Sequence, residues 1–179
     1  MKRILIILMA LLFAAGCGEK KTSSLKNNVL SARTSFAQGD FNLSTPKGWT
    51  YQDKESTKDA FTYKSPDGKS QLVITVAQLD KSMPKEEKAK FFKAFVENRR
   101  KMETDAKPSP VLSDTVVGTG EGFIYAKYAG IEKTQDRCYA TLITAEKGKL
   151  FTLCVQRTGV DKEALTALSN DIFSNFNVK

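Results

Sequence analysis

The sequence predicts an α+β domain, in which largely antiparallel strands form a sheet and helices pack on it. Two observations carry this prediction. Apolar residues alternate with polar residues through several segments between residues 41 and 156, which is typical of strands with one buried face. Two other segments repeat their apolar residues at helical spacing, one in the middle of the chain and one near its end. The predicted order is therefore strands, helix, four strands, helix.

The first strands lie between residues 41 and 76 and are separated by clear turn signals. Residues 41–44 alternate in polarity, and the Pro- and Gly-containing stretch 45–48 predicts a turn at the end of this strand. Residues 61–64 predict a further strand. The stretch 65–68 has the composition of a hairpin turn, and residues 72–76 follow as a β-branched, buried strand.

The central segment predicts a helix that begins at Pro84 and continues to about Thr104. Proline is tolerated in the first turn of a helix, and Glu86 and Glu87 suit the positive end of the helix dipole. Residues at helical spacing form one stripe, which consists of Phe91, Phe92, Phe95, Val96, Arg99 and Met102. Because aromatic stripes more often face a core than a ligand, we expect this stripe to pack on the sheet.

The period returns to two after Pro110. Strands are predicted over residues 111–119, 122–128, 137–144 and 149–156. A last helix should be capped by Asp161, and its apolar side contains Leu165, Leu168, Ile172, Phe173 and Phe176. The glycine-rich stretch 118–122 is followed by a strand rather than a helix, which favours a hairpin turn over a phosphate-binding loop.

The start of the chain has the parts of a bacterial signal peptide. Lys2 and Arg3 form a basic beginning, residues 4–15 are apolar or small, and small residues precede Cys17. This apolar run is shorter than the roughly 20 residues that span a bilayer. Small residues followed by Cys17 resemble the bacterial lipobox, in which the thiol is acylated and the preceding peptide is removed. We therefore predict a signal peptide over residues 1–16 and lipidation at Cys17. The alternative is an ordinary secretory signal.

Gly18 follows the lipidation site. The sorting rule of Gram-negative lipoproteins retains proteins with Asp at this position in the inner membrane, so Gly18 indicates the outer membrane. We expect a lipid-anchored protein of the bacterial cell envelope, on the periplasmic face of the outer membrane. Residues 17–35 are polar and predict a flexible tether, and residues 36–179 predict a single folded domain.

Composition excludes several kinds of site. The chain contains no histidine, which excludes Ser-His-Asp and Cys-His nucleophilic sites and histidine-based zinc sites. Loss of Lys2 and Arg3 with the signal peptide reduces the formal charge from +8 to +6. This balance suits anionic headgroups or acidic polymers, but it is equally an ordinary solvated surface. Basic runs of the nucleic-acid-binding kind are absent, so we expect no nucleic-acid partner. We also expect no bound metal and no cofactor, because no motif for either is present.

Cys138 and Cys154 form a pair in a compartment that permits disulfides. A hairpin with a three-residue loop over 146–148 would place them diagonally on the same face, roughly 7–8 Å apart. That distance is long for a disulfide unless a bulge shortens it. The sequence therefore leaves open a disulfide between Cys138 and Cys154 or two buried free thiols.

A family resemblance rests on the segment Phe41–Trp49 (FNLSTPKGW). This segment resembles the opening of PsbP-like domains, a group that includes DcrB-like bacterial envelope lipoproteins. The order of elements after it is similar as well, so the resemblance covers about residues 36–179. It implies an antiparallel sheet sandwiched between helices, a core or turn-packing role for Trp49, and non-enzymatic roles without a catalytic residue set to transfer.

Three functions are compatible with these features of the sequence. The first is a non-catalytic, membrane-tethered accessory or binding domain with an envelope protein as its partner, whose identity and oligomeric state the sequence leaves open. The second is a carrier or sensor of a small apolar or anionic ligand, bound in a pocket between sheet and helix. The third, ranked last, is a hydrolase built on carboxylates or a Ser-Lys pair, for which no motif is present.

Overall fold

A computed structural model describes residues 33–80 and 82–179 of the chain. The strands are β1 (Arg33–Ala37), β2 (Phe41–Pro46), β3 (Thr50–Tyr51), β4 (Ala60–Lys64), β5 (Ser70–Gln78), β6 (Val111–Leu112), β7 (Val116–Gly120), β8 (Phe123–Glu132), β9 (Arg137–Glu146), β10 (Lys149–Thr158) and β11 (Phe176–Val178). The α-helices are α1 (Lys85–Asp105) and α2 (Lys162–Ser174), and short 3-10 helices cover Asp53–Glu55 and Lys133–Gln135.

The strands form two antiparallel sheets. The main sheet has the order β3-β4-β5-β10-β9-β8-β6, and β7 also pairs with β8. A small sheet has the order β1-β2-β11. Every pairing is antiparallel. The structure therefore confirms the predicted α+β class and its largely antiparallel sheet.

The main sheet has a hydrophobic core on each face. On one face, residues of β5 and β10 pack against the small sheet and α2, with Phe41, Phe151 and Ile172 fully buried. On the other face, Phe92 and Val96 of α1 pack on β8, β9 and β10. The sheet thus lies between helices, as the resemblance implied, because side chains of successive strand residues point to opposite faces.

Glycine-containing turns connect the two strands of each predicted hairpin. Gly68, between β4 and β5, has φ +68°, and Gly122, between β7 and β8, has φ +80°. Both lie in the left-handed region that glycine adopts without strain. The stretch 118–122 is thus a hairpin, and it is not followed by a helix. At the other end of the chain, Asp161 caps α2 by accepting a hydrogen bond from the Ala164 N–H at 2.9 Å, also as predicted.

The folded chain begins earlier than residue 36. Residues 33–35, which we assigned to the tether, belong to β1. The Arg33 guanidinium donates from Nη1 to Asp171 Oδ1 at 2.7 Å and from Nε to Ser44 Oγ at 2.8 Å. Because β1 is largely polar, its composition resembles that of a tether. The contacts that hold it in the domain come from residues distant in sequence, which the composition does not reveal. The predicted signal peptide and Cys17 lie outside the described residues.

The last apolar residue also differs from its predicted place. We assigned Phe176 to the apolar side of the last helix, whereas α2 ends at Ser174 and Phe176 begins β11. Its ring lies 5.3 Å from those of Phe41 and Phe151, measured between centroids. Phe176 is still packed against the core, but through a strand that pairs with β2.

Candidate functional site

One flank of α1 is apolar and exposed. Phe92 and Val96 are buried against the sheet, whereas Phe91 is 42% exposed and Met102 is 74% exposed. The expectation that the whole stripe faces the core is therefore wrong. Successive helical residues are separated by about 100°, so Phe91 points well away from its neighbour Phe92.

An open groove of about 640 Å³ runs along this flank. Its apolar lining comes mainly from Phe91, Ala94, Phe95 and Met102, and Asn98, Arg99 and Glu103 add polar atoms. All of these lining residues lie on α1, so the groove is an open surface feature rather than an enclosed ligand cavity. Because aromatic and Met side chains dominate the lining, the groove suits apolar chemical groups.

A polar network ties the last turns of α1 to the sheet beside this groove. The Glu103 carboxylate accepts hydrogen bonds from the Tyr128 hydroxyl at 2.8 Å and the Tyr139 hydroxyl at 3.0 Å. Arg99 Nε donates to the same carboxylate at 3.2 Å, one helical turn earlier. We call Arg99, Glu103, Tyr128 and Tyr139 the Glu103 network. It satisfies two hydroxyls whose rings are buried in the core beneath α1.

Burial sets the protonation of this network. Loss of solvent raises the pKa of both Tyr128 and Tyr139, and the negative charge of Glu103 raises them further. Both hydroxyls therefore stay protonated donors at neutral pH, and neither is poised as a base or a nucleophile. The arrangement fastens a helix to a sheet and gives no sign of proton-transfer chemistry.

Arg100 fastens the other side of α1. Its guanidinium carbon lies 5.0 Å from the centroid of the Tyr128 ring, and its Nη1 donates to the Ser113 carbonyl at 2.9 Å. A cation over an aromatic face is attracted by the ring quadrupole. The two sides of α1 thus differ: one is held against β8 and the β6–β7 connection, and the other is open.

A second, smaller cleft of about 240 Å³ lies at the Pro-x-Gly-Trp turn. Trp49 lines it and is only 4% exposed, in agreement with a core or turn-packing role. Two of its charged residues have partners within the cleft: Arg157 Nη1 donates to Ser70 Oγ at 3.3 Å, and Ser65 Oγ donates to Asp67 Oδ1 at 2.5 Å. The bond from Ser65 and the Lys69 N–H lower the pKa of Asp67. These hydrogen bonds hold the adjoining turns together.

The two domain cysteines lie on opposite faces of the sheet. The β9–β10 loop is the two-residue turn Lys147-Gly148, with both φ angles positive, so Glu146 faces Lys149. Cys138 then lies opposite Arg157, and Cys154 lies opposite Thr141. This corrects the predicted register by one residue, which moves one cysteine to the other face. Both thiols are free, so of the two alternatives that the sequence left open the disulfide is not formed.

Neither a metal-ligand cluster nor a membrane-spanning helix occurs along residues 33–80 and 82–179. Within these ranges, no group of three or more Cys, Asp or Glu side chains is arranged to hold a metal ion. Neither α1 nor α2 is long and apolar enough to cross a membrane. The groove on α1 is thus the strongest candidate functional site in the described chain.

Comparison with solved structures identifies the fold. The solution structure of cyanobacterial PsbP (CyanoP) from Synechocystis sp. PCC 6803 matches 88% of this chain and 99% of its own, with a TM-score of 0.64 and 14% identity. The chain has a PsbP-like fold. At this identity the similarity concerns the fold alone, and it leaves the DcrB-like part of the resemblance a prediction.

Other comparisons add little to this PsbP-like domain. A crystal structure from Bacteroides thetaiotaomicron is 11% identical over 78% of this chain and 45% of that one, and its TM-score of 0.39 supports no conclusion. No protein-family model and no curated protein sequence matches the chain.

Sequence reasoning missed the Glu103 network. Glu103 is 25 residues from Tyr128 and 36 from Tyr139, so no local spacing joins them. Its one local signal was the spacing of Arg99 and Glu103, four residues apart on a helix, where opposite charges commonly pair. The exposed flank of α1 was missed for a different reason. Aromatic residues at helical spacing usually face a core, so the pattern did not indicate that Phe91 is exposed.

Proposed function

We propose that this protein is a non-catalytic binding domain of the bacterial cell envelope, tethered to the outer membrane by lipid on Cys17. The lipobox-like Cys17 supports the tether, and lipid chains anchor proteins through burial of their methylene groups. The observation that carries the binding role is the open apolar flank of α1, where Phe91 and Met102 lie exposed beside a groove.

The charges around this flank define the partner. Lys90 and Lys101 are exposed on α1 beside this flank, whereas Lys93 lies on the far side of the helix and pairs with Glu97 at 3.9 Å. Within the groove Arg99 and Glu103 pair with each other, and Glu87 is the exposed acidic residue one turn before Phe91. An amphipathic segment with apolar side chains and acidic neighbours complements such a surface in both respects. The occupant that we propose is such a segment of an envelope protein, because Phe91 and Met102 are exposed along one groove of α1 rather than scattered over the surface.

The test is photo-crosslinking from native membranes with a probe placed at Asn98, which lines the groove. The wild type should capture one or a few envelope proteins, and a purified acidic segment of the captured protein should bind with saturation. Phe91→Asp and Met102→Asp together should reduce capture about ten-fold or more, because they introduce charge into the apolar surface. Val160→Asp is the matched control, since Val160 is 41% exposed outside the groove.

Several results would change this conclusion. Capture that survives the Phe91 and Met102 substitutions would contradict the α1 surface as the binding site. A small molecule that co-purifies in native mass spectrometry and is lost with the same substitutions would replace the protein partner with the carrier function. Turnover of a substrate, abolished by substitution in a surface cleft, would overturn the non-catalytic role. A Cys17→Ala variant that remains at the membrane would refute the lipid tether.

A further inference from the structure

In the described part of the chain, one edge of the main sheet, formed by β7 beside β8, has no further strand against it. Among residues 33–80 and 82–179, β7 pairs only with β8, and its outer side has no strand against it. An edge strand presents unpaired N–H and C=O groups that can template another strand. The opposite edge of this sheet is β3, which has only two residues, so β7 is the longer of the two edges.

Hairpin geometry shows which backbone groups face outward. Gly120 and Phe123 flank the two-residue loop Glu121-Gly122 and therefore form a pair that exchanges backbone hydrogen bonds. Such pairs alternate along an antiparallel ladder, so the N–H and C=O of Val117 and Thr119 point away from β8. The open edge thus offers two donors and two acceptors in the order that an added strand requires.

Protective features are missing from β7 itself. Natural edges are usually shielded by charged residues, proline or bulges, whereas Val116–Gly120 (VVGTG) contains no charge and no proline, and Val117 is 59% exposed. A bulge does occur just before it. The Ser113 N–H donates to the Ala129 carbonyl at 2.8 Å, while Val116 lies opposite Lys127, which leaves one extra residue on the edge. This bulge separates β6 from β7 and confines the continuous open edge to β7.

Two aromatic rings extend to this edge. A Cβ atom on Gly118 would lie 2.4 Å from the Tyr125 ring, and one on Gly120 would lie 2.2 Å from the Phe123 ring, so both rings lie across the glycines of β7. The ring centroids are 6.2 Å apart and the rings are stacked. Side chains of an added strand on this face would contact the Phe123 ring beside the turn, which favours β-branched residues.

The charges that flank the edge select the occupant. Asp114 and Glu121 are exposed at the two ends of β7. Antiparallel pairing of two β7 strands would bring Asp114 of each copy beside Glu121 of the other, which disfavours self-association. We propose that β7 binds an extended segment of another protein by strand addition, and that this segment consists of uncharged β-branched residues with Lys or Arg at both ends. This surface is independent of the α1 groove.

The probe is a synthetic peptide of five alternating Thr and Val residues with an Arg at each end, titrated into the full chain and followed by fluorescence anisotropy. We expect saturable binding, together with slower hydrogen exchange at the Val117 and Thr119 amides. A peptide with Glu at both ends should bind about ten-fold less tightly, because it places like charges beside Asp114 and Glu121. The same peptide with N-methyl groups on the residues that face β7 should lose binding, and this control leaves the protein unchanged.

Variants test the protein side. Val117→Pro and Thr119→Pro each remove one outward N–H while leaving the β7–β8 ladder intact, and we expect about ten-fold weaker binding for each. Val117→Thr retains that N–H and should bind as the wild type does. Phe91→Asp should leave peptide binding unchanged, which separates this edge from the α1 surface. Absence of binding, or equal binding of the N-methylated peptide, would overturn the proposal. So would a wild-type dimer that the proline substitutions dissociate, since the occupant would then be a second copy.

Discussion

Glu103→Ala should destabilise the protein through two buried hydroxyls. The substitution removes the acceptor of the Tyr128 and Tyr139 hydroxyls, which lie 2.8 and 3.0 Å from the carboxylate. Each buried donor left without an acceptor costs about 1–2 kcal/mol. Loss of the Arg99 pair adds less than about 1 kcal/mol, because the Arg99 side chain is 36% exposed. The free energy of unfolding should therefore fall by about 2–5 kcal/mol.

Urea unfolding followed by the fluorescence of Trp49, the single tryptophan, measures this change. Glu97→Ala is the matched control on the same helix, because its only described partner is Lys93, exposed and 3.9 Å away, and its effect should stay below about 0.5 kcal/mol. In a chain that also carries Tyr128→Phe and Tyr139→Phe, the cost of Glu103→Ala should fall below about 1 kcal/mol, since no hydroxyl is then left unsatisfied. An equal cost in both backgrounds would refute this reasoning.

Three further predictions concern the core and the thiols. Phe92→Ala should lower the free energy of unfolding by about 3–5 kcal/mol in the same urea assay, and Phe91→Ala by less than about 1 kcal/mol, because only Phe92 is buried. Similar losses for the two variants would contradict the assigned faces of α1. Burial raises the pKa of Tyr63 to about 12, so its contribution to stability is present in full below pH 10 and is lost as the pH rises from 10 towards 12. Tyr63→Phe should flatten the fall of the unfolding free energy over that interval. Cys138 and Cys154 should both react with a thiol reagent after unfolding without reductant, and a reductant-dependent unfolding midpoint would show a disulfide instead.

The elements could be predicted where local signals were strong. Gly68 and Gly122 mark turns because their backbones adopt positive φ, and Asp161 marks a helix start because its side chain satisfies a free amide. The β9–β10 register was predicted wrongly because the composition of residues 146–148 fits a two-residue loop as well as a three-residue one. That single residue decides whether the two cysteines share a face of the sheet.

The sequence by itself determined the fold class, the positions of α1 and most strands, and the lipobox-like signal at Cys17. These features depend on neighbouring residues, whose periodicity and turn chemistry act over a few positions. Only the tertiary structure decided that β1 joins the domain and that Glu103 meets two tyrosines. It also decided that, among the described residues, one flank of α1 is exposed and β7 has no strand on its outer side. Each of these depends on which distant segment packs against which, and packing between distant segments leaves no local pattern in the chain.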